Sequence, residues 1–114
     1  MDKSPRPYIA YILEILQIIK DNTPADKATF IADLNARDAT LMRLQDIGEQ
    51  LSHLREVFPD FYESYQTDGW HELIGLRNII SHGYREIDFE IIWFILNKKL
   101  PGFTEHMQAV TKEI

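Results

Sequence analysis

Apolar residues recur along this chain at three- and four-residue spacing, the period of a helix that buries one face, and nowhere alternate as paired strands would. Tyr8, Ile9, Ile12, Leu13, Leu16 and Ile19 trace the first such face. Ser4, Pro5 and Pro7 suit its start, and Asn22-Thr23-Pro24 its end. A short helical turn is expected over residues 25–32. The longest pattern, Leu34, Leu41, Leu44, Ile47, Leu51, Leu54, Val57 and Phe58, runs to Pro59. Gly48 falls inside it, where glycine costs roughly 1 kcal/mol relative to alanine, so the close approach of a second helix is the natural compensation. Residues 59–69 show no clear period and read as an acidic, aromatic connection with a turn at Asp68-Gly69. A third helix is predicted over 70–81, stopping at Gly83. Asp88 then caps a fourth over 89–100, and Pro101-Gly102 breaks the chain before a last helix from Phe103. These elements predict an all-α protein, one up-and-down bundle of four to five helices, with residues 1–114 as a single domain.

Size and charge narrow the chemistry. A chain of 114 residues can bury a core without covalent staples, and the absence of cysteine excludes a disulfide scaffold, a thiol nucleophile, a zinc–thiolate site and an iron–sulfur cluster. With 18 Asp and Glu against 12 Lys and Arg, the net charge of -6 repels nucleic acid and anionic membranes. Any nucleic-acid role must therefore rest on a local positive site. The N-terminus lacks an apolar leader, and residues 8–19 and 91–96 are too short or interrupted to span a bilayer, so a cytoplasmic protein with no membrane partner is expected.

The informative stretch is residues 70–84. Advancing about 100° per residue from Arg77 at zero puts Ser81 near 40°, Asn78 near 100° and His82 near 140°, with Ile79, Leu76, Ile80 and Leu73 between about 200° and 320°. Four polar groups are thus expected to share one face, with an apolar stripe opposite to fix the helix in the core. A neutral imidazole can take a proton from a 2′-hydroxyl while a guanidinium holds phosphate oxygens as charge develops, a set that serves phosphoryl chemistry on RNA without a metal or other cofactor. The plainer reading makes Arg77 the partner of an acidic neighbour and lets His82 merely close the helix.

The run Gly75-Leu76-Arg77-Asn78-Ile79-Ile80-Ser81-His82-Gly83-Tyr84 resembles the R-x4-H-x-Y signature of the HepT toxins, a branch of the HEPN superfamily. The likeness extends through residues 30–33, Asp38-Ala39, Leu44, Ile47-Gly48-Glu49, Trp70, Glu72-Leu73-Ile74, Ile87-Asp88 and Leu100-Pro101. The resemblance implies a HEPN-like helical homodimer acting as a metal-independent ribonuclease, with Arg77 and His82 of two protomers catalytic and Asn78 and Ser81 in support. It also implies a partner, an MntA-type nucleotidyltransferase antitoxin, that transfers AMP to Tyr84. A modified Tyr84 is expected to set phosphate charge beside Arg77, and Glu49 to pair with Arg77 and orient it. Where many relatives carry arginine near the middle of the long helix, this chain has Met42.

Three other readings compete. The chain could serve as a non-catalytic helical binding subunit of a nucleotidyltransferase, with the polar face used for recognition. It could be a plain dimeric interaction module if Arg77 is held in an internal salt bridge. Glu49 and His53, spaced i, i+4, could hold a metal but supply only two ligands. Arg85, Lys98 and Lys99 are interleaved with Glu86, Asp88 and Glu90 and read as a charge-mixed solvated face, and Trp70 and Trp93 read as core.

Overall fold

A computed structural model describes residues 4–114; the sequence reading of residues 1–3 lies outside the described residues. The chain folds into α1 (Arg6–Asn22), α2 (Lys27–Ala32), α3 (Leu34–Val57), α4 (Pro59–Tyr65), α5 (Asp68–His82), a 3₁₀ turn (Tyr84–Glu86), α6 (Phe89–Phe94) and α7 (Leu100–Glu113). The all-α bundle is as expected, its body formed by the four longest helices, α1, α3, α5 and α7. Each start has a local cause. Pro5 and Pro7 suit the first turn of α1, and the carboxylates of Asp26, Asp33 and Asp88 accept backbone N–H bonds from Thr29, Ala36 and Glu90 at the starts of α2, α3 and α6.

The core is built from the predicted stripes: Ile9, Ile12, Leu16 and Ile19 of α1 meet Leu41, Leu44, Ile47, Leu51 and Leu54 of α3, with Trp70 and Leu73 of α5 and Phe103 and Met107 of α7 closing it. Trp70 is fully buried, and Trp93 is half-buried, 5.5 Å from the buried Phe30 ring. Among the described residues no helix is long and apolar enough to cross a membrane.

Three local expectations are corrected. The stretch read as a connection contains α4. Pro59 sits in its first turn and Tyr62 alone is buried, its ring 5.2 Å from Trp70, so a single anchored residue left no period to detect. Asp68-Gly69 is not a turn but the opening of α5, where an acidic first-turn residue suits the positive end of the helix. Pro101-Gly102 does not break the chain. Residues Ile95–Lys99 widen into a π-helical turn, and Pro101, which has no N–H to donate, enters in the first turn of α7, where that donor is not required.

Candidate active site

The site is built where α5 lies against α3. A Cβ on Gly48 would stand 2.5 Å from the Arg77 Cβ and 2.7 Å from the Leu73 carbonyl oxygen, so only glycine lets the two helices come this close. That approach places the next residue, Glu49, beside Arg77. Arg77 Nε donates to Glu49 Oε2 at 2.8 Å, Nη2 reaches the same oxygen at 2.7 Å, and Nη1 donates to Asn78 Oδ1 at 2.9 Å. Three of the five guanidinium N–H groups are thereby committed, and two remain to meet a substrate oxygen. The Arg77 side chain is 31% exposed, so the ion pair orients it without closing it off.

The polar face differs from its expected form. Ile79, assigned to the buried stripe, is 58% exposed, while Trp70, Leu73, Ile74 and Ile80 are buried. The buried arc of α5 thus runs from about 300° to about 60° and includes the directions of Arg77 and Ser81. Those two residues lean onto α3, Ser81 Oγ accepting a bond from Gln45 Nε2 at 2.9 Å. Asn78 and His82 are exposed. The four groups are split between an edge packed on α3 and a solvent edge because α5 turns Trp70 and Ile74 into the core beside Leu73 and Ile80 and leaves Ile79 out.

Arg77, Asn78 and Glu49 are therefore brought together, whereas His82 stands apart at the end of α5, with no hydrogen bond or ion pair to any described residue. Gly83 ends the helix, its N–H donating to the Ile79 carbonyl at 2.7 Å. Tyr84, 52% exposed, donates its hydroxyl to Asp38 near the start of α3. This bond is the first cause of a Tyr84 pKa raised above the ordinary phenol value. Asp38 and Glu49 are separated by about 16 Å of helix axis, so the unmodified Tyr84 hydroxyl is held at the opposite end of this helix contact from Arg77.

Sequence reasoning counted Asp38 only toward the family likeness, without a partner, and gave Gln45 no part. The signal was present: Asp38, Met42, Gln45 and Glu49, spaced four, three and four, form one stripe of α3 that runs antiparallel to Tyr84, Ser81 and Arg77. Met42, in the stripe's middle, is 62% exposed. The flanking cations are partly spoken for, Lys99 lying 3.9 Å from Glu72 and Lys27 2.9 Å from Glu90, which fits the charge-mixed face. Among the described residues no cluster of three or more metal-ligating side chains occurs, and Glu49 and His53 are engaged by Arg77 and by the stacked Tyr8 ring. The larger groove, about 690 Å³ between α1 and the π turn with α7, contains none of the predicted site residues.

An all-helical bundle whose R-x4-H-x-Y segment is held against an I-G-E turn of the facing helix defines a HEPN-type protein. Residues 12–110 match the family model described as ribonuclease HepT-like, and the chain belongs to that family. It is similar to two Methanocaldococcus jannaschii proteins. One, named "Putative RNase MJ1380", is 30% identical, with 94% of this chain and 99% of that protein covered. The other, named "Putative RNase MJ0127", is 31% identical, with 98% of this chain and 91% of that protein covered. A Thermococcus cleftensis protein named "Probable ribonuclease HepT" is 22% identical over 98% of this chain and all of its own length. No solved structure matches the chain.

Proposed function

We propose that this chain is a metal-independent RNA endonuclease toxin of a HepT/MntA-type system, acting as a cytoplasmic homodimer. The observation that carries the dimer is the divergence of the two motif residues. Arg77 leans onto α3 while His82, about 140° further round α5, faces solvent without a partner among the described residues, so one protomer does not aim both at a single phosphate. A two-fold axis would set His82 of each copy against the Arg77 of the other and supply both a base and an acid.

In this reading one His82 takes the proton of a 2′-hydroxyl, and the freed oxygen attacks the adjacent phosphorus. The bond to the 5′-oxygen breaks, and the second His82 returns a proton to that leaving oxygen. A cyclic phosphate and a 5′-hydroxyl result. The two uncommitted N–H groups of Arg77 hold the phosphate oxygens as charge builds, and Glu49, Asn78 and Ser81 keep the guanidinium and its helix in place. With a chain charge of -6, RNA capture is confined to the cleft and is salt-sensitive, and structured RNA such as tRNA suits such a cleft. The nucleotidyltransferase partner transfers AMP to Tyr84: a bond forms from its hydroxyl oxygen to the α-phosphorus of a nucleoside triphosphate, pyrophosphate leaves, and the hydroxyl proton passes to solvent.

Cleavage of total tRNA in EDTA by partner-free protein, with end mapping, tests this. Cyclic-phosphate ends lost in both Arg77→Ala and His82→Ala are expected. A mixed dimer carrying one His82→Ala chain that keeps full activity would refute the shared site. The alternative, a non-catalytic binding subunit of a nucleotidyltransferase, uses the polar face for recognition, with Asn78 and His82 exposed. Clean protein that cuts no RNA pool would select it.

A further inference from the structure

The segment that follows His82 is clipped to α3 at two consecutive residues. Tyr84 donates its hydroxyl to Asp38, and the Arg37 guanidinium lies 4.0 Å over the ring of Phe89, the first residue of α6. Arg37 is itself tied down, donating through Nη1 to the Ile31 carbonyl at 3.3 Å. Between the two clips Ile87 packs partly against the core and Asp88 caps α6. The 3₁₀ turn contributes Glu86 N–H to the Gly83 carbonyl at 2.9 Å and a long Ile87 N–H to Tyr84 carbonyl contact at 3.4 Å, and none of its three residues is buried. His82, whose side chain makes no hydrogen bond or ion pair to any described residue, ends α5 two residues before the Tyr84 clip.

We propose that Asp38 is a positioning residue for His82, acting through its hydrogen bond to Tyr84, and that modification of Tyr84 silences the site by breaking this latch rather than by filling the Arg77 pocket. The second half rests on the nucleotidyl-transfer reading above; the first does not. Geometry favours the latch. The Tyr84 hydroxyl is bonded at Asp38, about 16 Å along the α3 axis from Glu49, the residue that orients Arg77, so a phosphate on that oxygen meets the Asp38 carboxylate first. Once esterified, the Tyr84 oxygen has no proton to donate, and a phosphodiester anion faces the Asp38 carboxylate, turning an attraction into a repulsion. The turn that follows His82 then loses the nearer of its two clips. Imidazole and leaving oxygen must stay within a few tenths of an ångström of their productive geometry, and displacement of that order is costly.

Asp38→Ala, Tyr84→Phe and the double variant test the latch by two readouts. In cleavage assays each single variant is expected to lower kcat about tenfold with KM nearly unchanged, and the double variant to be no worse than either single, as members of one pair behave. Amide hydrogen exchange supplies the second readout and does not depend on activity. Residues 83–87 are expected to exchange about tenfold faster in all three variants, while the amides of α3 and of residues 70–79 stay unchanged. Tyr84→Phe and Asp38→Ala proteins with full cleavage and unaltered exchange would overturn the proposal. Wild-type protein that cuts no RNA would sink the nuclease reading alone, since the exchange pattern still decides whether Asp38 holds the turn.

Discussion

The two halves of α5 are built from similar text and do opposite work. Its first half sends Trp70, Leu73 and Ile74 into the core, with Tyr62 of α4 and His106 of α7 packed on the indole. Its second half keeps only Ile80 buried and presents Arg77, Asn78, Ser81 and His82 to α3 and to solvent. One rigid rod thus anchors at one end and displays at the other, so the display end can carry polar groups and an exposed Ile79 at little cost to the core.

Substitutions should separate the halves. Trp70→Ala is expected to cost about 3–5 kcal/mol in urea unfolding, because it empties a fully buried site, whereas His82→Ala should leave the unfolding midpoint in place. The reverse holds for activity, where His82→Ala is expected to lose about a hundredfold or more in cleavage. A comparable stability loss in the His82 variant would erase the distinction. Gly48→Ala strikes both halves at once: a methyl 2.5 Å from the Arg77 Cβ and 2.7 Å from the Leu73 carbonyl must push α5 outward, for about 1–3 kcal/mol and a matching fall in cleavage. Glu49→Gln sharpens the contrast further. It leaves the helix contact intact and weakens only the hold on Arg77, so about tenfold lower kcat is expected with a stability change under about 1 kcal/mol.

The smallest effect is a pH dependence on the surface. Tyr11 donates to Asp46, Tyr65 to Glu113 and Tyr84 to Asp38. The carboxylate bond leads the upward pKa shift of Tyr11 and Tyr84, and for Tyr65 loss of solvent leads with Glu113 next. A folded pKa above the unfolded value of 10.0 means the folded state holds its proton more tightly. The stabilisation is therefore full below that value and fades as pH rises through the raised one. Urea midpoints should decline in this alkaline window, and less steeply in Tyr11→Phe and Tyr84→Phe. A decline equally steep in both variants would remove these bonds from the account.

Part of the geometry could be read before any coordinates. Gly48 announced the close approach of α5 to α3, and the pairing of Glu49 with Arg77 was among the expectations. What could not be read was which way the face of α5 turns. A period alone treats Ile79 and Trp70 as equal claims on the core, and burying the larger ring rotates Arg77 and Ser81 onto α3 while Ile79 goes to solvent.

The sequence by itself determined where α1, α2, α3 and α6 begin, because their spacing of apolar residues, their capping aspartates and their prolines act within a few residues along the chain. Only the tertiary structure decided that Asp38 meets Tyr84, that Gln45 meets Ser81, and that Arg77 keeps two donors free after Glu49 and Asn78 take their share. Apart from neighbouring Arg77 and Asn78, those pairings join residues 28 to 46 positions apart, and their register follows from how two helices slide and rotate as they bury their largest side chains, which no local pattern encodes.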